Sequence, residues 1–175
     1  MCAICNFRIE FGVGHPAALT VAVATRRGIE DGRIEPIEEM QGPLGAARAR
    51  MSAIEAMNLL QARIEATLDA ERLLALPDFY VFLIESDTWG FFHATTDGFD
   101  PDIVPEMPDV TSTDAARRSN IIVGSEAALR AWLDGRLTMD TALSDSVFHV
   151  DAPDAARASL TSMLVLAETT VDDVR

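Results

Sequence analysis

The most regular pattern of hydrophobic positions lies in the middle of the chain. Residues Ala46 to about Leu76 include no glycine or proline, and they are mostly Ala, Glu, Arg, Leu and Met, which favour helix. Hydrophobic residues recur there every three or four positions, as on one face of a helix: Ile54, Met57, Leu60, Ile64 and Leu68. We predict an amphipathic helix, on the order of 45 Å long if it is continuous.

The regions on either side of this helix predict strands and one further helix. Hydrophobic and polar residues alternate over Phe7–Phe11, which predicts a half-buried strand. Aromatic and branched residues predict two more strands, Phe79–Glu85 and Trp89–Thr95, joined as a hairpin. A helix is predicted from Pro16 to about Asp31, although Leu19–Thr25 would also suit a buried strand.

The last third of the chain alternates between strand and helix patterns. Strands are predicted at Asn120–Val123 and Val147–Val150. Ser125 is predicted to cap a helix over Glu126–Asp134. Two further helices are predicted, at Thr138–Ser144 and from Asp154 to about Thr170.

A proline-rich acidic segment, Asp97–Asp109, separates the hairpin from these later elements. We predict that it is an exposed loop with one short edge strand at Ile103–Val104. Together the patterns predict an α+β fold in which a mainly antiparallel sheet packs against helices. We divide the chain into an N-terminal extension, residues 1–45, and an α+β domain, residues 46–175.

Composition and charge narrow the classes of function. The chain has 175 residues, 49% of them hydrophobic, and 28 acidic against 14 basic residues, for a net charge of −14. Such an acidic surface repels phosphate, so we expect no nucleic-acid partner. No hydrophobic stretch approaches the ~20 residues that cross a bilayer, and no secretory signal pattern opens the chain. We therefore expect a soluble cytoplasmic protein. Every basic residue is arginine, which excludes lysine Schiff-base chemistry.

Two cysteines form the one local motif with a chemical spacing. Cys2 and Cys5 are spaced C-x₂-C, which matches half of a tetrahedral zinc or iron site. A thioredoxin-type pair needs a strand before the motif, and here one residue precedes it. The remaining ligands would come from His15, from Glu10, or from the same cysteines of a second subunit in a homodimer. Buried unliganded thiols and redox sensing are the alternatives.

No residue pattern predicts catalysis. The three histidines, His15, His93 and His149, are scattered along the chain, and neither a Gly-x-Ser-x-Gly elbow nor a glycine-rich dinucleotide motif is present. The expectation therefore leans away from an enzyme.

From the long helix onward, the order of elements resembles the sterol carrier protein 2 family. Residues Asn120–Gly135 are similar to the family's strand, cap and helix, and residues Asp140–Asp151 to its short helix and last strand. The resemblance covers about residues 46–171. It implies an apolar tunnel for fatty acyl or sterol-like ligands. The candidate tunnel-wall residues, for which plain core packing is the alternative, are Phe91, Trp132, Leu133, Leu160, Met163 and Leu164.

The sequence thus leads to two hypotheses about function. The first is a non-enzymatic module that binds a hydrophobic small molecule or a protein partner. The second is an accessory protein in which Cys2, Cys5 and His15 hold zinc or iron for folding, dimerisation or delivery to a client protein. In addition, the segment Asp97–Asp114 carries six acidic residues and no arginine, so it is a candidate docking surface for a basic partner.

Overall fold

The computed structural model describes residues 13–37, 42–114 and 117–169. The predicted strand at Phe7–Phe11 and the cysteine pair lie outside these residues.

The described residues form helices and strands in an α+β arrangement, which confirms the predicted fold class. The helices are α1 (Ala18–Glu30), α2 (Gly42–Thr67), α3 (Ala70–Leu74), α4 (Glu126–Leu133), α5 (Met139–Ser144) and α6 (Asp154–Thr169). The strands are β1 (Phe79–Leu83), β2 (Thr88–Phe92), β3 (Ala94–Thr95), β4 (Gly98–Phe99), β5 (Ile121–Gly124) and β6 (His149–Asp151).

Four of the strands form one mixed sheet, in the order β2-β1-β5-β6. Strand β1 pairs antiparallel with β2, and β5 pairs antiparallel with β6, as the sequence predicts for most of the sheet. The central pair, β1 and β5, is parallel. Their carboxyl ends therefore lie side by side at one edge of the sheet, where β1 runs into a turn and β5 runs into α4.

The two faces of the sheet are covered by separate hydrophobic cores, because successive side chains of a strand point to opposite faces. The main core contains Val81 and Ile122 from the sheet, together with buried residues of α2, α4 and α6. The second core contains Tyr80, Phe82 and Ile121 on the opposite face.

Helix α1 belongs to both cores and does not form a separate unit. Its Val21 lies in the second core, while Ala24 and the following Ile34 lie in the main core. The described part of the predicted N-terminal extension therefore packs with the rest of the chain. This segment is helical, so the alternative of a strand at Leu19–Thr25 is wrong.

The predicted long helix is interrupted before its end. Helix α2 ends at Thr67, and Asp69 then caps α3, its side chain accepting a hydrogen bond from Arg72 N at 2.8 Å. An aspartate at this position favours a new helix start, because its carboxylate competes with the carbonyl oxygens of a continuous helix for nearby backbone N–H groups. The helical region is therefore two helices.

The acidic loop after β4 is irregular and partly anchored to the second core. The predicted edge strand at Ile103–Val104 is wrong, since neither residue pairs with a strand and Val104 is 89% exposed. Further along the loop Val110 is buried, and the Tyr80 hydroxyl donates to the carbonyl oxygen of Glu106 at 2.8 Å. The loop thus covers part of the sheet with its apolar residues.

None of the helices in the described ranges combines the length and the apolar character that a membrane span requires.

Candidate functional site

A cleft of about 560 Å³ lies at the edge of the sheet where β1 and β5 end. Ligands of sheets with parallel strands commonly bind outside the carboxyl ends of those strands, and this volume is typical of small-molecule sites. The hydrophobic part of the lining comes from α1, α2, the segment between them and the turn after β1: Ala22, Ile29, Ile37, Ala46, Ala49 and Ile84.

The turn between β1 and β2 places Glu85 at this cleft. The turn spans Ile84–Asp87 and ends with Asp87 in the left-handed conformation at φ 49°, which aspartate tolerates better than most residues. Ile84 N donates to the carbonyl oxygen of Gly124 at 3.1 Å, so the turn is tied to the end of β5. Glu85 is thereby held next to the start of α4.

The Glu85 carboxylate binds the N-terminus of α4. It accepts hydrogen bonds from Glu126 N at 2.8 Å and from Ala127 N at 3.2 Å, two donors that the helix itself leaves unpaired. Burial raises the pKa of the Glu85 carboxyl, and these backbone hydrogen bonds oppose that effect. Among the described residues, no arginine forms a salt bridge with Glu85.

Ser125 joins two walls of the cleft. Its hydroxyl accepts from Ala128 N at 3.0 Å, which confirms the predicted helix cap, and it also accepts from the Thr25 hydroxyl of α1 at 3.1 Å. Both residues are buried. The start of α4 and the middle of α1 are therefore linked by a hydrogen bond inside the protein.

Glu126 links the start of α4 to α2, which is the third wall of the cleft. Only 2% of the residue is exposed. Its carboxylate accepts from the Ser52 hydroxyl of α2 at 2.5 Å and from Arg130 Nε at 2.9 Å. Arg130 Nη2 also donates to the carbonyl oxygen of Ser52 at 3.0 Å. The negative charge of Glu126 is thus balanced by Arg130, unlike the charge of Glu85.

A second buried network anchors the start of α1, and with it one wall of the cleft. His15 is 6% exposed, and its Nδ1 accepts from Ala17 N at 3.0 Å. With Nδ1 as acceptor, the neutral ring carries its proton on Nε2, which donates to Asp151 Oδ2 at 2.9 Å. Arg118 Nη2 donates to the same oxygen at 2.5 Å. Asp151 on β6 therefore holds the segment that leads into α1.

The burial of His15 predicts a loss of stability in mild acid. Burial, the largest influence, lowers the pKa of His15 below 6.5, whereas the hydrogen bond to Asp151 opposes this shift. Below the unfolded-state pKa the unfolded chain binds a proton that the folded chain resists, so stability falls as the pH decreases. We expect the melting temperature to drop between pH about 7.5 and about 5.5, a range that brackets the ordinary histidine pKa.

The variant His15→Gln keeps a donor for Asp151 but does not titrate, so its melting temperature should depend less on pH over this range. The control His93→Gln removes a half-exposed histidine and should leave most of the dependence in place. An unchanged pH dependence in His15→Gln would contradict the assignment to His15.

The predicted tunnel-wall residues do not line the cleft. Five of the six are buried in the main core: Trp132, Leu133, Leu160, Met163 and Leu164. Phe91 packs against the second core, with its ring centroid 4.8 Å from that of Tyr80. The sheet lies between Phe91 and the other five, so the six residues do not share one wall.

Of the three predicted metal ligands, His15 lies among the described residues, and Cys2 and Cys5 lie outside them. Both ring nitrogens of His15 already make hydrogen bonds, so binding a metal would require one of these bonds to break. Within residues 13–37, 42–114 and 117–169, no group of three or more His, Cys, Asp or Glu side chains is arranged to hold a metal ion. Zinc or iron binding by Cys2 and Cys5 stays a prediction about residues outside those ranges.

Comparison with protein-family models gives no match, and neither curated protein sequences nor solved structures give a significant one. The resemblance to the sterol carrier protein 2 family therefore stays a prediction.

Proposed function

We propose that the protein is a non-enzymatic binding module that holds a small amphipathic molecule in the cleft between α1, α2 and α4. The observation that carries the proposal is the combination of hydrophobic walls with polar side chains that gather at the start of α4. Small-molecule sites typically pair a largely apolar lining with a few fixed polar groups, which orient the ligand. The volume of about 560 Å³ suits such a ligand.

The hydrogen bonds around the cleft support binding by a preformed site. Ser125 and Thr25 connect α4 to α1, and Ser52 and Glu126 connect α4 to α2. Because these bonds hold three walls in place before a ligand arrives, little ordering would be needed on binding. The same bonds occupy Ser125 and Glu126, so these side chains are suited to shaping the site and not to transferring protons.

Filling the cleft should weaken ligand binding without unfolding the protein. Ala46 is an exposed residue of α2 that borders the cleft, so Ala46→Trp adds a large side chain there. We expect the affinity for decan-1-ol, measured by isothermal titration calorimetry, to fall at least about tenfold, which corresponds to roughly 1.4 kcal/mol. The melting temperature should stay close to that of the wild type.

The matched control is Ala47→Trp, an exposed neighbour on the same helix that does not border the cleft. It should bind the alcohol as the wild type does. The proposal fails if the wild type does not bind the alcohol, or if Ala46→Trp binds it as tightly as Ala47→Trp does.

A further inference from the structure

We infer that the ligand of the cleft carries a protonated primary or secondary amine, which binds the Glu85 carboxylate. This inference rests on the proposed function and adds the chemical class of the ligand to it.

The charged side chains that border the cleft favour a cationic ligand. Among the described residues, three charged side chains border it, Arg26, Glu85 and Glu126. Arg26 Nε donates to Glu30 at 2.9 Å, and Glu126 is paired with Arg130. Glu85 has two backbone N–H groups but no cation among the described residues. Among the described charged residues at the cleft, Glu85 is therefore the one without a side-chain partner of opposite charge, so a cationic group is attracted there and an anionic group is repelled.

The N-terminus of α4 is the second argument, because it would otherwise be the natural place for an anion. Glu85 already occupies it, with its oxygens 2.8 Å from Glu126 N and 3.2 Å from Ala127 N. A ligand carboxylate would have to displace this side chain and then lie next to it. The site therefore disfavours fatty acids, which are among the ligands that the family resemblance implies.

The residue types around Glu85 favour a ligand cation that carries N–H groups. Quaternary ammonium ions are typically held by aromatic rings, and the described lining of the cleft includes no aromatic residue. Hydrogen-bond acceptors are present instead. The Ser86 hydroxyl beside Glu85 accepts from the Thr88 hydroxyl at 2.8 Å and has a second lone pair available. Glu85 and Ser86 are consecutive residues that both border the cleft, so a ligand ammonium meets hydrogen-bond acceptors there.

The protonation behaviour of Glu85 agrees with this geometry. Burial raises the pKa of the carboxyl above its ordinary value, so the unliganded protein stabilises the ionised form less than water does. A bound ammonium would stabilise the ionised form. Amine binding should accordingly weaken as the pH falls and Glu85 takes up a proton.

Three probes with the same ten-carbon chain test the inference: decylamine, which is an ammonium ion at neutral pH, decan-1-ol and decanoate. The variants are Glu85→Gln and the control Asp87→Asn, which removes the same charge from a position of the same turn that does not border the cleft. In the wild type we expect decylamine to bind about tenfold more tightly than decan-1-ol, the size expected of one charge-assisted hydrogen bond. Decanoate should bind most weakly.

In Glu85→Gln the ratio of the amine affinity to the alcohol affinity should fall to about one, and in Asp87→Asn this ratio should stay at about ten. The melting temperature of Glu85→Gln should stay close to that of the wild type, because the amide oxygen can still accept a hydrogen bond at the start of α4. Equal binding of amine and alcohol by the wild type, tightest binding of decanoate, or an unchanged preference in Glu85→Gln would overturn the inference. Any of these three outcomes overturns only the amine inference if the wild type still binds decan-1-ol and Ala46→Trp still weakens that binding. If the wild type does not bind decan-1-ol, the proposed function fails as well.

Discussion

Replacing Trp132 by alanine should lower the free energy of unfolding by about 3–5 kcal/mol, the range measured for large aromatic residues in protein cores. Trp132 is 1% exposed and belongs to the main core between the sheet and the helices. The Arg63 guanidinium lies 5.5 Å from the centre of its ring, and Arg63 Nη2 donates to the carbonyl oxygen of Leu133 at 2.8 Å. The substitution would leave a cavity under this contact. Urea denaturation followed by circular dichroism measures the loss.

The control for this prediction is Trp132→Phe, which keeps an aromatic ring in the core. Its cost should be well below that of the alanine variant, because the indole Nε1 has no hydrogen-bond partner among the described residues. It also provides a measurable stability if the alanine variant does not fold. A stability of Trp132→Ala near that of the wild type would contradict close packing here and would favour the tunnel that the family resemblance implies.

Replacing Asp151 by alanine should cost about 2–4 kcal/mol, because it leaves buried donors without an acceptor. His15 Nε2 and Arg118 Nη2 both donate to Asp151 Oδ2, at 2.9 and 2.5 Å. His15 is almost wholly buried, whereas about a third of the Arg118 side chain is exposed, so the penalty comes mainly from the histidine. Because His15 leads into α1, the variant should also bind the cleft ligand more weakly. The free energy of unfolding and the decan-1-ol affinity measure the two effects.

Two further variants distinguish the loss of the Asp151 hydrogen bonds from the general effect of removing an acidic residue. Asp151→Asn keeps an oxygen acceptor and should cost less than Asp151→Ala. Asp102→Ala removes an exposed acid from the loop after β4 and should change stability by no more than about 0.5 kcal/mol. If Asp151→Ala is as stable as Asp102→Ala, the proposed anchor for α1 does not exist.

Elements with strong local signals were predictable from the sequence. Ser125 follows a short hydrophobic strand and precedes a helical pattern, and it caps α4 as predicted. The spacing of hydrophobic residues on one face of α6 likewise allowed the position of this helix to be predicted. The break between α2 and α3 had a local signal too, since Asp69 is a favourable cap, but it stands in a long run of residues that all favour helix.

The cleft was not predicted, because it depends on a contact between distant strands. Residues Phe79–Ile84 form an uninterrupted hydrophobic run, which is typical of a strand covered on both faces and indicates a central position in a sheet. The sequence does not show which strand pairs with it, and the parallel pairing with β5 is what places Glu85 beside α4. Glu85 therefore looked like the end of a strand.

The sequence cannot distinguish residues that line a ligand tunnel from residues that pack in a core. Trp132, Leu160 and Leu164 lie on apolar helix faces, and such a face looks the same in the sequence whether it packs against side chains or against a ligand. Both kinds of burial remove similar hydrophobic area from water and so favour the same residue types.

The central claim is that the cleft between α1, α2 and α4 holds the ligand. Mapping backbone amide chemical shifts during a titration with decylamine tests it most directly. We expect saturable shifts concentrated at cleft residues such as Thr25, Ile29, Ala49, Glu85 and Glu126. Shifts concentrated around Trp132, Leu160 and Leu164 in the main core, or no saturable shifts at all, would contradict it.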